Sequence, residues 1–257
     1  MKILVTGNAG FIGFHICKKL LEKGNTVIGV DNLNHYYDYN LKKERLKILK
    51  KTAIKKKSKF IFFKVDISKR EKIKKIFSKH KFDKVMHFAA QAGVRYSLEN
   101  PSEYVKSNQV GFFNIIDFST IYKTKHFIYA SSSSVYGNNP KLPFSEKSNT
   151  DQPRQIYAAT KKSNELMAYS YSSLYNLRTT GLRYFTVYGP WGRPDMALFK
   201  FTKNILKNKS ITVFNKGNHE RDFTYIDDVV NLTLLASKNF SKINKKNPPY
   251  KILNVGS

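Results

Sequence analysis

Three groups of residues in this chain have the types and spacing that chemistry needs. Gly7, Gly10 and Gly13 stand in TGNAGFIG. Glycines at such intervals let a backbone turn tightly and approach a pyrophosphate, while the following helix offers its first amides and its dipole. Tyr157 and Lys161, in YAATK, lie one helical turn apart. A phenol is a poor base at its reference pKa of about 10, and a cation one turn away favours the phenolate. Ser131–Ser134, in YASSSSVYG, supply hydroxyls that can both accept and donate. The tyrosine–lysine spacing proves little by itself. In a chain with 16 tyrosines and 46 basic residues it arises by chance, and Tyr39–Lys43 is another instance. Tyr157 differs in context, because it opens a helix shortly after the serines. A dinucleotide turn, a placed hydroxyl, a tyrosine and a lysine together suit alcohol oxidation by hydride transfer.

Elements must hold these groups, and their order is readable. Apolar runs predict strands at Lys2–Thr6, Thr26–Val30, Phe60–Val65, Lys84–Phe88, His126–Ala130 and Arg178–Arg183. Helical spacing falls at Phe14–Lys23, Leu41–Leu49, Arg70–Ser78, Pro101–Tyr122 and Tyr157–Tyr175, with Lys50–Lys59 an exposed basic connection. This alternation predicts an α/β fold, a doubly wound parallel Rossmann-type sheet with a smaller C-terminal substrate lobe. Its ligands bind outside the carboxyl ends of the strands. Gly7, Asp31, Asp66, Ala89 and Ser131 all stand at such ends. A serine tract is elsewhere a flexible linker; here it falls where this architecture builds a site. Residues 1–185 are expected to form the cofactor domain and 186–257 the lobe, with 222–240 returning to the first unit. The chain ends on an expected strand, KILNVGS, which suggests a fragment.

Composition narrows the class. A chain of 257 residues, 41% hydrophobic and 14% aromatic, can bury a sizeable core. No run of about 18 apolar residues predicts a membrane span. The early glycines argue against a signal peptide, and the single Cys17 fits a reducing cytoplasm. The net charge of +28 suggests nucleic acid. Its lysines are spread along solvated faces, however, and outnumber the arginines on which specific readers rely. The expectation is therefore no nucleic-acid partner and no membrane. A basic, non-catalytic Rossmann protein that binds nucleic acid is the rival of another class, and intact Ser132, Tyr157 and Lys161 speak against it.

Asp31 at the end of the second strand could accept bonds from ribose hydroxyls and would repel a 2′-phosphate, which favours NAD over NADP. At this point the sequence resembles a known family. TGNAGFIGFH, DNLNHYYD, HFAAQAGVRYSLENP, YASSSSVYG, YAATKKSNELMA, RYFTVYGPWGRPDMA and RDFTYIDD are similar to the extended short-chain dehydrogenase/reductases, and among them to the NAD-dependent nucleotide-sugar 4-epimerases acting on UDP-glucuronate. The resemblance spans the chain and implies conversion of UDP-glucuronate to UDP-galacturonate through a 4-keto sugar. By position it implies Gly7, Gly10, Phe11, Ile12 and Gly13 at the pyrophosphate, Asp31 and Asn32 at the ribose, and Asp66 and Ile67 at the adenine. Ala89, Ala90 and Gln91 would line the cofactor cleft. Tyr157 would be the base, Lys161 its partner on the nicotinamide ribose, and Ser132 the catalytic serine. Ser133 and Ser134 would face the sugar, with Arg95, Thr186 and Arg193 near its acid group and Arg221 near the diphosphate. No metal is implied. A homodimer, a cytoplasmic location and a role in polysaccharide biosynthesis are, and the family continues past KILNVGS.

Rivals within the fold are epimerases of UDP-glucose or a UDP-N-acetylhexosamine, and nucleotide-sugar decarboxylases or dehydratases. The last two resemble this chain but carry an acidic residue before Val-Tyr-Gly, where Ser133 and Ser134 stand here. Some residues have plainer readings. Arg193 could brace a turn. His15, His87 and His219 read as core or surface histidines, without metal-ligand spacing. Asp227 and Asp228 read as a helix cap.

Overall fold

Strand and helix alternate from the first residues. β1 (Lys2–Thr6), α1 (Phe11–Glu22), β2 (Thr26–Asp31), α2 (Tyr39–Lys55), β3 (Lys59–Lys64), α3 (Arg70–Lys79) and β4 (Lys84–His87) are followed by the single turns α4 (Tyr96–Glu99) and α5 (Pro101–Tyr104). A π-helical turn, Val105–Gly111, leads into α6 (Phe112–Ile121). Then come β5 (His126–Ser132), α7 (Ile156–Tyr175), β6 (Thr179–Tyr184), β7 (Thr186–Tyr188), α8 (Ala197–Ile205), β8 (Phe223–Tyr225), α9 (Ile226–Lys238) and β9 (Tyr250–Val255). This computed structural model describes residues 1–139, 141–213, 215–218, 220–238 and 247–256. His219 and residues 239–240 of the expected return segment lie outside them.

Seven parallel strands form one sheet in the order β3-β2-β1-β4-β5-β6-β9. The chain winds outward from β1 to β3, then restarts at β4 on the other side of β1. That reversal opens a crevice at the carboxyl ends of β1 and β4, where ligands bind in such sheets. The strands are apolar on both faces because helices cover both. On one side Phe14, Cys17, Leu21, Leu49 and Val229 pack on the sheet, which brings α1, α2 and α9 into one layer. On the other, Ile73, Phe77, Ile115, Ile116 and Ala168 bring in α3, α6 and α7. At one margin lies β3, KFIFFK, with exposed Lys59 and Lys64 at its ends.

Several boundaries differ from the sequence reading. α2 runs to Lys55, through most of the expected basic connection. Leu46, Leu49 and Ala53 continue its buried stripe, and lysine on the outer face is a good helix former. β5 extends two residues further than expected, taking in Ser131 and Ser132. The long helix expected over 101–122 is interrupted by the π turn. The strand Tyr250–Val255, expected with the lobe, pairs with β6 in the main sheet. β7 and β8 form a separate parallel pair, and α9 contributes Ile226, Val229, Val230 and Leu234 to the α1 side of the core. Among the described residues no helix is long and apolar enough to cross a membrane, and no three metal-ligating side chains cluster.

Candidate active site

The glycine turn closes on itself between β1 and α1. Gly7 takes φ +72°, and a Cβ there would lie 2.6 Å from Ala89 N, so only glycine lets β1 and the β4 end meet this closely. Gly13 has the same need, since its Cβ would fall 2.2 Å from Gly7 O. Gly10 N donates to Gly7 O at 2.9 Å, and no side chain caps α1. The first-turn amides of Phe11, Ile12 and Gly13 have no intrahelical acceptor, and the first turn carries no acidic residue. A cradle lined by amides and closed to side chains fits the diphosphate of a dinucleotide.

Asp31 ends β2 beside this turn. Its carboxylate accepts from Ala9 N at 3.1 Å and Leu33 N at 2.9 Å, which leaves lone pairs for ribose hydroxyls. Burial pushes its pKa up, and the two amide bonds, Lys42 and Arg45 oppose the shift. Asn32 accepts from Asn34 N at 3.1 Å. Asp66 accepts from Ser68 N and Oγ at 2.9 and 2.8 Å, and buried Ile67 abuts Gly111 of the π turn. Ala89 N donates to Thr6 Oγ1, which also bonds His87 Nδ1 at 2.8 Å. His87 is buried, and desolvation pushes its pKa down to about 3. It is a neutral core histidine. Ala90 lies partly buried beside Ala89, next to the buried Gln91.

The serine tract divides by strand geometry. Neighbouring residues of a strand face opposite ways. Ser131 turns toward α7 and donates to Glu165 Oε1 at 2.6 Å, and that carboxylate is gripped by Arg183 through two 2.8 Å bonds. Ser132 turns toward the cleft. Its Oγ accepts from Ser134 N at 3.2 Å and Ser134 Oγ at 2.8 Å. With both lone pairs engaged, its own hydrogen is left to donate, and it stands near enough to the Tyr157 phenol to favour the phenolate. Burial pushes that phenol up; Ser132 and Arg193 pull it back. Lys161, expected to lower it, instead sits 6.0 Å from the ring centroid and donates to Ala130 O at 2.9 Å. Its own pKa is pushed down to about 8 by burial.

In the loop after β7, Arg193 clasps Asp195 with two bonds, Nε to Oδ1 at 3.0 Å and Nη2 to Oδ2. Tyr36 OH also donates to Asp195, at 3.1 Å. Arg193 thus braces its loop, as the plainer reading held, and still biases Tyr157. Thr186 opens β7, its amide donating to Asp222 O at 3.2 Å. Ser133 begins a 3₁₀ turn that also holds Ser134. Arg95 is exposed, ahead of α4. Exposed Arg221 donates to the neighbouring Glu220 O. The structure therefore brings Ser132, Ser134, Tyr157, Lys161 and Arg193 into one electrostatic neighbourhood.

Residues the sequence did not signal complete the site. Asn108 lies in the π turn, buried. Its Oδ1 accepts from Gln91 N at 2.8 Å, and its Nδ2 donates to Gln91 O at 3.0 Å and Thr160 Oγ1 at 3.1 Å. Its carbonyl accepts from Asn164 Nδ2 at 2.6 Å. It ties the β4 end to the helix that carries Tyr157. Tyr36, Asp195, Glu165 and Arg183 were equally silent. Nothing in VKSNQVG marks Asn108 out, since Lys106, Ser107 and Gln109 around it are polar too.

The sequence profile of the NAD dependent epimerase/dehydratase family matches residues 3–256. Protein CapI of Staphylococcus aureus is 52% identical over 268 residues, which cover 100% of this chain and 78% of that protein. UDP-glucuronate 4-epimerase 4 of Arabidopsis thaliana is 49% identical over 265 residues, covering 99% of this chain and 59% of that enzyme. The crystal structure of UDP-glucuronic acid 4-epimerase from Bacillus cereus, in complex with UDP-glucuronic acid and NAD, matches with a TM-score of 0.89 at 35% identity, covering 100% of this chain and 77% of that one.

Proposed function

The chain belongs to the NAD dependent epimerase/dehydratase family, and from that premise we propose that it interconverts UDP-glucuronate and UDP-galacturonate by inverting C4. It is an NAD-dependent nucleotide-sugar epimerase. The observation that carries the choice of reaction is the Ser132–Tyr157 pair backed by Ser134. The places where decarboxylases and dehydratases of this fold have an acid are filled here by hydroxyls.

When bound, NAD supplies the acceptor and then the donor of the hydride, together with a positive ring in the cleft. The amides of Phe11, Ile12 and Gly13 would hold its diphosphate, Asp31 its adenosine ribose and Lys161 its other ribose. Tyr157, as the phenolate, takes the proton of the sugar 4-hydroxyl and becomes the phenol, and Ser132 would donate to the phenolate before that transfer. Burial opposes that charge, so the nearby cation Arg193 matters. The 4-keto sugar is a β-keto acid. It loses carbon dioxide when its carboxylate bond aligns with the ketone π system. Nη1 of Arg193, with the hydroxyls of Ser133 and Ser134, would hold the carboxylate away from that alignment.

We further propose a homodimer in the cytoplasm. Val105, Val110, Phe113 and Ile121 are exposed apolar residues along the π turn and α6, and Leu166, Tyr169 and Leu174 extend the patch on α7. Light scattering that finds only a monomer at micromolar concentration would remove the dimer. The function is tested by incubating the protein with UDP-glucuronate and identifying the product by NMR. UDP-galacturonate is expected. Conversion of UDP-glucose or UDP-N-acetylglucosamine, with UDP-glucuronate untouched, would overturn the assignment.

A further inference from the structure

Arg45 has the largest side chain among the fully buried residues. Among the described residues no carboxylate pairs with it. Its Nη1 donates to Ala9 O at 2.7 Å and Tyr37 OH at 2.8 Å, and its Nη2 donates to Trp191 O at 2.5 Å and Gly192 O at 3.3 Å. Three separate parts of the chain therefore meet on one guanidinium: the glycine turn, the loop after β2, and the loop after β7. A buried cation is costly unless its donors are used; Nε is buried without a hydrogen-bond partner, so Nη1 and Nη2 alone offset that cost. Here the use is to hold carbonyl oxygens from segments far apart in sequence, which a planar fork does and an ammonium does not.

The bonds form a line. Asp31 holds the N–H of Ala9, and Arg45 holds its C=O. Arg45 then holds the carbonyls of Trp191 and Gly192, the two residues immediately before Arg193. The loop has other moorings on the same side. Pro190 O lies 3.0 Å from His15 Nε2, the Trp191 ring packs against Phe14 at 5.9 Å, and Tyr36 holds Asp195. Trp191 sits at φ +60°, a backbone conformation a bulky residue keeps only when its surroundings fix it.

We infer that Arg45 is a positioning residue that locks the Gly189–Asp195 loop to the cofactor turn and thereby sets the place of Arg193 at the sugar carboxylate. The inference deepens the proposed function and rests on it for the identity of the sugar. The four bonds of Arg45 all go to oxygens of the protein itself.

Trp191 is the chain's one tryptophan, so its fluorescence reports this loop alone. In Arg45→Lys, acrylamide should quench Trp191 at least about twofold more efficiently in the NAD-loaded protein without sugar. KM for UDP-glucuronate should rise about tenfold, the effect of one hydrogen bond to a charged group. In the same variant NAD affinity and the affinity for UDP alone should change less than about threefold, because Arg45 acts through Arg193; kcat should fall no further than in Arg193→Ala, which removes the cation that favours the Tyr157 phenolate. Tyr37→Phe removes one acceptor and keeps the fold if Arg45→Lys does not; it should move quenching and KM the same way by a smaller factor. The inference is overturned if quenching and KM stay at parent values in a folded, NAD-binding variant. It is equally overturned if kcat, KM and NAD affinity all fall in proportion to lost thermal stability. The quenching arm needs no sugar, so it decides the role of Arg45 even if the parent proves to act on a different UDP-sugar.

Discussion

Replacing the two strand serines one at a time separates structure from chemistry in adjacent positions. Ser131 and Ser132 differ by one residue, yet Ser131 donates to buried Glu165 while Ser132 faces the other way and favours the Tyr157 phenolate. The Ser131 hydroxyl gives Glu165 one of three donors, the other two coming from Arg183, in a pair whose side chains are only 5% and 3% exposed. Loss of a buried hydrogen bond to a charged group costs about 1.5–3 kcal/mol. For a chain of this size each kcal/mol moves the thermal midpoint by about 2–4 °C, so Ser131→Ala should lower it by roughly 3–12 °C. Its kcat should stay within about threefold of the parent, since Glu165 lies on the far face of β5. Ser132→Ala leaves the midpoint within about 2 °C, because its partners are partly solvated, and lowers kcat by about 10²-fold. Calorimetry and turnover of UDP-glucuronate on the same preparations read both. If Ser131→Ala lowers kcat as Ser132→Ala does while its midpoint stays put, the assignment of faces is wrong.

Tyr157→Phe keeps the ring and removes the acid–base group, so turnover should fall about 10²–10⁴-fold with UDP-sugar binding intact; near-parental turnover in a steady-state assay would name another base. Arg193→Ala, alone or with Ser133→Ala and Ser134→Ala, should raise the ratio of carbon dioxide and UDP-pentose to UDP-galacturonate, and an unchanged ratio by mass spectrometry would end the proposed carboxylate role. Stability should decline in acid. His87 and His126 are held neutral by burial, with pKa values down at about 3 and about 4, so the unfolded chain protonates first as pH falls through about 6.5. Each then removes up to about 1.4 kcal/mol per pH unit until its folded pKa is reached, and a urea midpoint that is flat from pH 7 to 5 would contradict this.

The chemistry-bearing groups were legible where chemistry and local pattern coincide. Gly7 and Gly13 are demanded by a turn, Asp31 ends a strand, and Tyr157 opens a helix; each of these is a short-range fact. Ser131 and Ser132 looked alike because the strand was expected to stop at Ala130, and only the two extra residues give them opposite faces. Asn108 was hidden in a helix expected to be regular, since a π turn leaves no periodic mark. Arg45 passed for one more cation among the lysines of α2, because its partners lie as far away as Gly192. Lys161 was read through its spacing from Tyr157; in the fold the carbonyl of Ala130 holds its ammonium. The extent of α2 was hidden by lysine itself, which reads as exposed coil although it favours helix wherever an apolar stripe continues beneath it.

The edge strand β3 gives the charge of this chain a physical role. Phe60–Phe63 is an apolar tetrapeptide on an unpaired sheet margin, a segment that could recruit the same segment of another molecule into a continuous ladder. Lys59 and Lys64 stand at its two ends, and the whole molecule carries +28. Two such edges approaching each other meet like charge before they meet hydrogen bonds. Colloidal behaviour is therefore governed by ionic strength. At low salt the molecules repel over tens of ångströms, while near 1 M salt the Debye length shrinks to about 3 Å and the barrier to edge-on association collapses. Added salt should therefore lower the solubility of this protein as the Debye length shrinks.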